Sequence, residues 1–93
     1  MTLGLLQIII RIPNSNSLKE KRMVLRSLKD KLRNKYNISL AEIDSHDKWQ
    51  KSVLAVAKVD KERVMVDRAF GNIVDFIKDF NGVELVDYQT ELL

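Results

Sequence analysis

The stretch LGLLQIIIRI at residues 3–12 decides the fold, because a helix start follows it almost at once. The stretch is short, rich in isoleucine and leucine, and bounded by Pro13, which is typical of a β-strand. Its even positions from Leu6 to Ile12 are all apolar, whereas its odd positions are mixed. Because alternate side chains of a strand point to opposite faces, the stretch predicts a strand with one face against a core.

The segment after this strand carries the signals of a helix. Ser17 and Glu20 form an S-x-x-E capping box, so we expect a helix from Leu18 to about Asn34. Leucines then recur at helical spacing. They are Leu18, Leu25, Leu28 and Leu32.

The rest of the chain completes a β-α-β-β-α-β order. The predicted elements are strands at 38–43 and 52–59 with a polar turn between them, a helix at 61–79 capped by Asp60, and a strand at 83–92. Right-handed crossovers and one hairpin favour a single arrangement of these elements. It is an α+β, ferredoxin-like fold, with a four-stranded antiparallel sheet and both helices on one face. At 93 residues we expect a single domain, residues 1–93.

The composition excludes several classes of protein. The chain has no cysteine, which rules out disulfides and thiolate chemistry, and one histidine, which rules out a multi-histidine metal site within one chain. Its longest apolar stretch is far shorter than the roughly 18 residues of a membrane span, and it does not resemble a signal peptide. We therefore predict a cytoplasmic protein with no metal, no cofactor and no membrane span.

The charge is concentrated in the first helix. Residues 19–35 hold eight basic and two acidic residues, a net charge of +6. Since the whole chain carries +3, the remainder carries −3. Local charge density of this kind governs which polyanion can dock.

Five of these cations fall on one flank of the predicted helix, within a stripe roughly 80° wide and about 20 Å long. They are Lys19, Arg22, Arg26, Lys29 and Arg33. The spacing predicts a binding surface for a polyanion such as RNA or a ribosomal particle. A solvated helix face, an anionic lipid surface or an acidic protein would fit the same stripe.

The open face of the sheet is a second candidate surface. We expect the helices to cover the even row of the first strand and the alanine-containing odd row of the third. The opposite face would then expose four apolar side chains, which favours a protein interface. They are Leu5, Ile9, Leu54 and Val56. Without aromatic residues on these strands the face is unlike an RNA-recognition sheet, so a protein partner, including a second copy as a homodimer, is favoured. A monomer that merely tolerates the patch is the alternative.

Two loops could carry chemistry. Ser15, Asn16 and Ser17 precede the first helix, where free amides can hold phosphate or sulfate, although capping alone explains Ser17. The turn at 44–50 contains His46 between carboxylates, which could form a general base or a weak cation site. Turn hydrogen bonds explain the same residues, and no partner nucleophile is evident, so we predict no catalytic residue.

Three motifs resemble those of the YlxP-like family, a small bacterial family of unknown function. They are R-I-P-x-S-x-S-L-K-E-K-R at 11–22, D-x-x-D-x-W-Q at 44–50 and E-L-V-D-Y at 84–88. The resemblance covers essentially the whole chain and implies a ferredoxin-like domain without an established activity. Genes of this family often lie beside those for translation and ribosome maturation, which favours a non-enzymatic, RNA-linked binding module.

Overall fold

The structure is a computed structural model that describes residues 1–45 and 48–93. It has the predicted β-α-β-β-α-β order and the ferredoxin-like arrangement. The elements are β1 (Thr2–Arg11), α1 (Leu18–Lys35), β2 (Ser39–Asp44), β3 (Lys51–Asp60), α2 (Arg63–Lys78) and β4 (Glu84–Leu92). Neither helix is long and apolar enough to cross a membrane within the part of the chain that the structure describes.

The four strands form one antiparallel sheet in the order β2-β3-β1-β4. The two long strands β1 and β3 are central, and their register sets Leu6 opposite Val56 and Ile8 opposite Leu54. The ladder between β1 and β4 is irregular between Ile9 and Ile10. β2 and β4 are therefore the two edge strands of the sheet.

Both helices pack on one side of the sheet, where the hydrophobic core lies. The even row of β1 is fully buried beneath them, as the alternation predicted. The core side of α1 contributes Leu25, Leu28 and Leu32, and that of α2 contributes Val66, Phe70, Ile73, Val74 and Ile77. Burial of these side chains is the main force that fixes both helices on the sheet.

α2 approaches β1 closely at Gly4. A Cβ atom at this position would lie 2.6 Å from Cγ1 of Val66 and 2.8 Å from the ring of Phe70. Both distances are shorter than nonbonded carbon atoms tolerate. Glycine at position 4 therefore lets the helix rest directly on the strand.

The two helix starts differ. The Ser17 hydroxyl accepts a hydrogen bond from the Glu20 amide at 3.1 Å, so the predicted cap of α1 is present. The predicted cap of α2 is wrong: β3 continues through Asp60, and Glu62 occupies the cap position without a side-chain hydrogen bond. The Asp60 carboxylate instead accepts from the Glu62 amide at 3.3 Å, within the connection.

Candidate polyanion-binding face

α1 carries its five predicted cations along one flank, which we call the cationic stripe: Lys19, Arg22, Arg26, Lys29 and Arg33. At 3.6 residues per turn the stripe lies about 100° around the helix from the buried leucines. Four of its members are exposed and Lys29 is half-buried. The aliphatic stems can therefore lie along the margin of the core while the charged ends reach water.

No member of the cationic stripe forms an ion pair with any described residue. The ion pairs among residues 1–45 and 48–93 join Arg11 to Glu84, Lys21 to Glu42 and Arg63 to Asp67. Neighbouring carboxylates in this part of the chain thus leave the charge of the stripe available to an external ligand.

Arg33 shows where the stripe lies relative to the sheet. Its guanidinium donates a hydrogen bond of 2.7 Å to the carbonyl oxygen of Leu40 in β2. Because β2 is an edge strand, the stripe runs along the outer border of the molecule. This hydrogen bond orders Arg33 without neutralising it, since a carbonyl carries no net charge.

The opposite flank of α1 presents two further lysines to aromatic rings. The Nζ atom of Lys31 lies 5.2 Å from the ring centre of Phe80, and that of Lys35 lies 5.2 Å from that of Phe76. Such distances allow cation–π attraction. Lys31 and Lys35 therefore face α2, whereas the cationic stripe faces away from it. The basic residues of α1 are thus divided between its two flanks.

Lys21, one of the eight basic residues of the +6 segment, is buried and does not face solvent. Its side chain is 1% exposed, and its ammonium lies 3.0 Å from the Glu42 carboxylate and donates to the carbonyl of Ser45. The buried Ser52 hydroxyl also donates to Glu42. Removing this internally paired cation from the segment leaves a net charge of +5 for solvent.

A sequence signal for the buried lysine existed. Lys21 stands four, seven and eleven residues before the three buried leucines of α1, which is the spacing of one helix face. Lysine is almost never buried without a partner. The pattern could therefore have shown that an acidic residue of another element must meet it.

The loop before α1 uses its own donors internally. Ser15 is buried and donates from its hydroxyl to the carbonyl of Ser17 at 2.9 Å, while the amide of Asn16 donates to the Glu20 carboxylate at 2.6 Å. A phosphate at this helix start would have to displace that carboxylate. The predicted anion site at Ser15, Asn16 and Ser17 thus receives no support from this geometry.

The predicted interface comprised Leu5, Ile9, Leu54 and Val56, and its two β3 residues, Leu54 and Val56, are wrong. Leu54 and Val56 are fully buried in the core, because they lie opposite Ile8 and Leu6 and directly opposed residues share a face. The two alanines of the other row, Ala55 and Ala57, leave room for a helix to pack closely, and for this reason the sequence favoured the opposite assignment. In the structure Ser52 is satisfied by Glu42 beneath α1.

The open face of the sheet is instead formed by the odd rows of β1 and β3, with contributions from both edges. We use "the open face" for Leu3, Leu5, Gln7, Ile9, Ala55, Ala57, Val59, Ile43 and Val86, together with Asp87, Gln89 and Glu91 of β4. Val53 belongs to the same row of β3 but is buried. Its most exposed apolar members are Val86 at 59%, Val59 at 57% and Ile43 at 49%. Both α1 and α2 pack on the opposite side of the sheet, so neither covers the open face.

The turn between β2 and β3 is described in part. His46 and Asp47, on which the general-base and cation-site hypotheses rest, lie outside the described residues. The Asp44 carboxylate accepts from the amide of Ser45 at 2.7 Å, as expected of a turn. Trp49 is more than half exposed and borders the open face beside Ile9 and Val86. No group of acidic or histidine side chains suited to a metal occurs in the described ranges.

Comparison with known proteins gives a family and a relative. A family model described as "Protein of unknown function (DUF503)" matches residues 3–90. The uncharacterized protein YlxP of Bacillus subtilis (strain 168) is 35% identical over 80 residues, which span 86% of this chain and 87% of that protein.

Two solved structures share the architecture. The designed protein Foldit4 superposes with a TM-score of 0.57 at 13% identity, covering 98% of this chain and 96% of its own. An antibiotic biosynthesis monooxygenase superposes with a TM-score of 0.54 at 18% identity, covering 100% and 96%. At these identities the similarity concerns the fold alone.

Proposed function

Since this chain belongs to the DUF503 family of proteins of unknown function, we propose its function from its own geometry: it binds the phosphate backbone of structured RNA through the cationic stripe. The observation that carries this proposal is the absence of ion-pair partners for the five stripe cations among the described residues. The same binding mode would apply to free RNA and to RNA within a ribosomal particle.

A phosphate backbone suits the shape of the stripe. The cations lie on one helix over about 20 Å, so the spacing of their backbone positions is fixed before a ligand arrives. Nucleic acids present a regular row of negative charges, and each phosphate neutralised by lysine or arginine releases counterions. The entropy of that release favours an extended polyanion over a single small anion.

The stripe is suited to the backbone and lacks groups that stack on bases. Recognition of single-stranded RNA relies on aromatic side chains that stack on unpaired bases. The stripe itself contains none, and the rings of Phe76 and Phe80 lie on the opposite flank of α1. Double-helical RNA, which is recognised by shape and phosphate contacts, is therefore the favoured form.

The test measures affinity for a labelled RNA duplex by fluorescence anisotropy across a salt series. The variant Arg22→Glu/Arg26→Glu reverses two exposed stripe charges, and Arg68→Glu/Lys78→Glu on α2 changes the net charge by the same amount elsewhere. We expect the first variant to lower affinity at least about tenfold and to reduce the salt slope by about two. The second variant should keep the wild-type slope.

Each possible outcome bears on the proposal. Equal losses in the two variants would show that total charge matters and the stripe does not. Binding of anionic vesicles or of an acidic protein, with no binding of the duplex at low salt, would contradict the RNA proposal. Circular dichroism and urea unfolding of both variants verify that neither change disturbs the fold.

A further inference from the structure

The open face is large enough to be an interface. Four strands spaced about 4.8 Å apart and running for about 30 Å give a projected area of roughly 600 Å². Because side chains project from the sheet, the accessible surface of the face is larger than its projected area. It approaches the roughly 800 Å² that each partner buries in a standard stable complex. Apolar side chains form only part of this area, because Asp87, Gln89 and Glu91 of β4 share the face with Ile9, Gln7 and Leu5. An exposed apolar patch rimmed by polar residues is typical of an interaction site.

The relief of this face alternates between small and large side chains. Ala55 and Ala57 form a flat strip on β3, next to the bulkier Leu5 and Ile9 of β1. A face that contains both raised and hollow regions can interlock with a copy of itself, as the inner faces of two packed sheets do.

Unpaired charges stand at two opposite corners of the face. Lys51 lies beside Arg11 at one end of β3, and Glu91 lies beside Leu5 toward the other end of β4. Neither has an ion-pair or side-chain hydrogen-bond partner within residues 1–45 and 48–93. Charges of opposite sign at opposite corners are suited to a two-fold arrangement, in which each corner meets the other corner of the second copy.

The position of such a two-fold axis follows from the register. β1 lies between β3 and β4, and the point midway between Lys51 and Glu91 falls on β1 beside Gln7 and Ile9. A residue near the axis meets its own copy, so on the central strand, where the interface excludes water, it must be neutral or self-complementary. Gln7 is exposed and makes no side-chain hydrogen bond with the described residues, and an amide can both donate and accept.

We infer that two copies of this chain associate through their open faces, around a two-fold axis near Gln7 and Ile9. Lys51 of each copy then faces Glu91 of the other at the rim. Asp87 lies opposite Ile9 on the edge strand β4, so the two Asp87 carboxylates also approach each other near the axis, at the water-exposed rim of the interface. Screening by water makes their repulsion weaker there than it would be between charges at the centre of the face. This dimer is independent of RNA binding, because the cationic stripe lies on the other side of the sheet.

The test determines oligomeric state by sedimentation equilibrium. Wild type should be a reversible dimer, and Gln7→Glu should raise the dimer dissociation constant about a hundredfold, since it sets two like charges together near the axis. The matched control Asn72→Glu, on the outer side of α2, should leave dimerisation unchanged. Mixing Gln7→Glu with Gln7→Lys protein should restore association.

Charge exchange at the rim tests the orientation of the two copies. Lys51→Glu and Glu91→Lys should each weaken the dimer about fivefold, and the double variant should return it to within about twofold of wild type. A monomeric wild type would overturn the inference. A dimer whose dissociation constant does not change with Gln7→Glu would also overturn it. So would a Lys51→Glu/Glu91→Lys variant whose loss of dimer affinity equals the two single losses combined.

Discussion

α1 and α2 lie side by side on one face of the sheet, yet different interactions hold them there. α1 buries a lysine that is paired with Glu42, starts with a side-chain cap, and exposes cations that no described carboxylate neutralises. α2 buries apolar residues alone, has no side-chain cap hydrogen bond, and pairs its exposed Arg63 with Asp67 at 3.6 Å. The difference indicates that α2 is retained by packing, whereas α1 also depends on specific polar contacts.

The largest expected effect concerns the buried lysine. Lys21→Met should lower the free energy of unfolding by about 3–5 kcal/mol, because it removes the buried ammonium that lies 3.0 Å from the Glu42 carboxylate. Lys21→Met/Glu42→Leu should recover a large part of that loss. Urea unfolding of the two single variants and the double variant gives the coupling energy. Additive losses would contradict the view that a polar pair holds α1.

An intermediate effect is expected where α2 touches the sheet. Gly4→Ala should destabilise the protein by about 1–3 kcal/mol, because its Cβ atom would overlap Val66 and Phe70. Gly71 in α2 is the matched control, since a Cβ atom there meets nothing within 4 Å. Gly71→Ala should stabilise the protein by about 0.5–1 kcal/mol. Thermal unfolding measures both changes, and an equal response at the two glycines would show that the contact is not tight.

The smallest effect distinguishes the two helix starts. Ser17→Ala should cost about 1 kcal/mol, because it removes the oxygen that accepts from the Glu20 amide. Glu62→Ala, at the equivalent position of α2, should cost less than about 0.5 kcal/mol, since no side-chain hydrogen bond is lost there. Urea unfolding of the pair measures the difference. Equal costs would mean that the two starts are equivalent.

The fold followed from the sequence because each element has its own periodicity. Alternation of apolar and polar residues identified β1, and leucine spacing identified α1. The hairpin of β2 and β3, which lies between the two helices in sequence, then left one arrangement of the strands. The face of β3 could not be assigned in this way. Its row from Val53 to Val59 is wholly apolar, whereas the row from Ser52 to Lys58 has a polar residue at each end, so hydrophobicity favours the wrong row for the core. The register with β1 that decides between them is not contained in the strand itself.

The sequence predicted where the charges of the candidate site lie on α1. It did not predict which of the basic side chains contact residues of other elements. Helical spacing alone places the five stripe cations on one flank. Whether each cation is free depends on residues far away in sequence: Lys21 meets Glu42 and Ser45, and Arg33 meets the Leu40 carbonyl. Such contacts arise from the tertiary fold, which no local pattern of the helix describes.

Because both helices stand on the same side of the sheet, a dimer formed through the open faces would carry its two stripes on opposite outer surfaces. Such a particle is bivalent. It could bridge two RNA segments, or two parts of one folded RNA, and its apparent affinity for them would rise with protein concentration as the monomers pair.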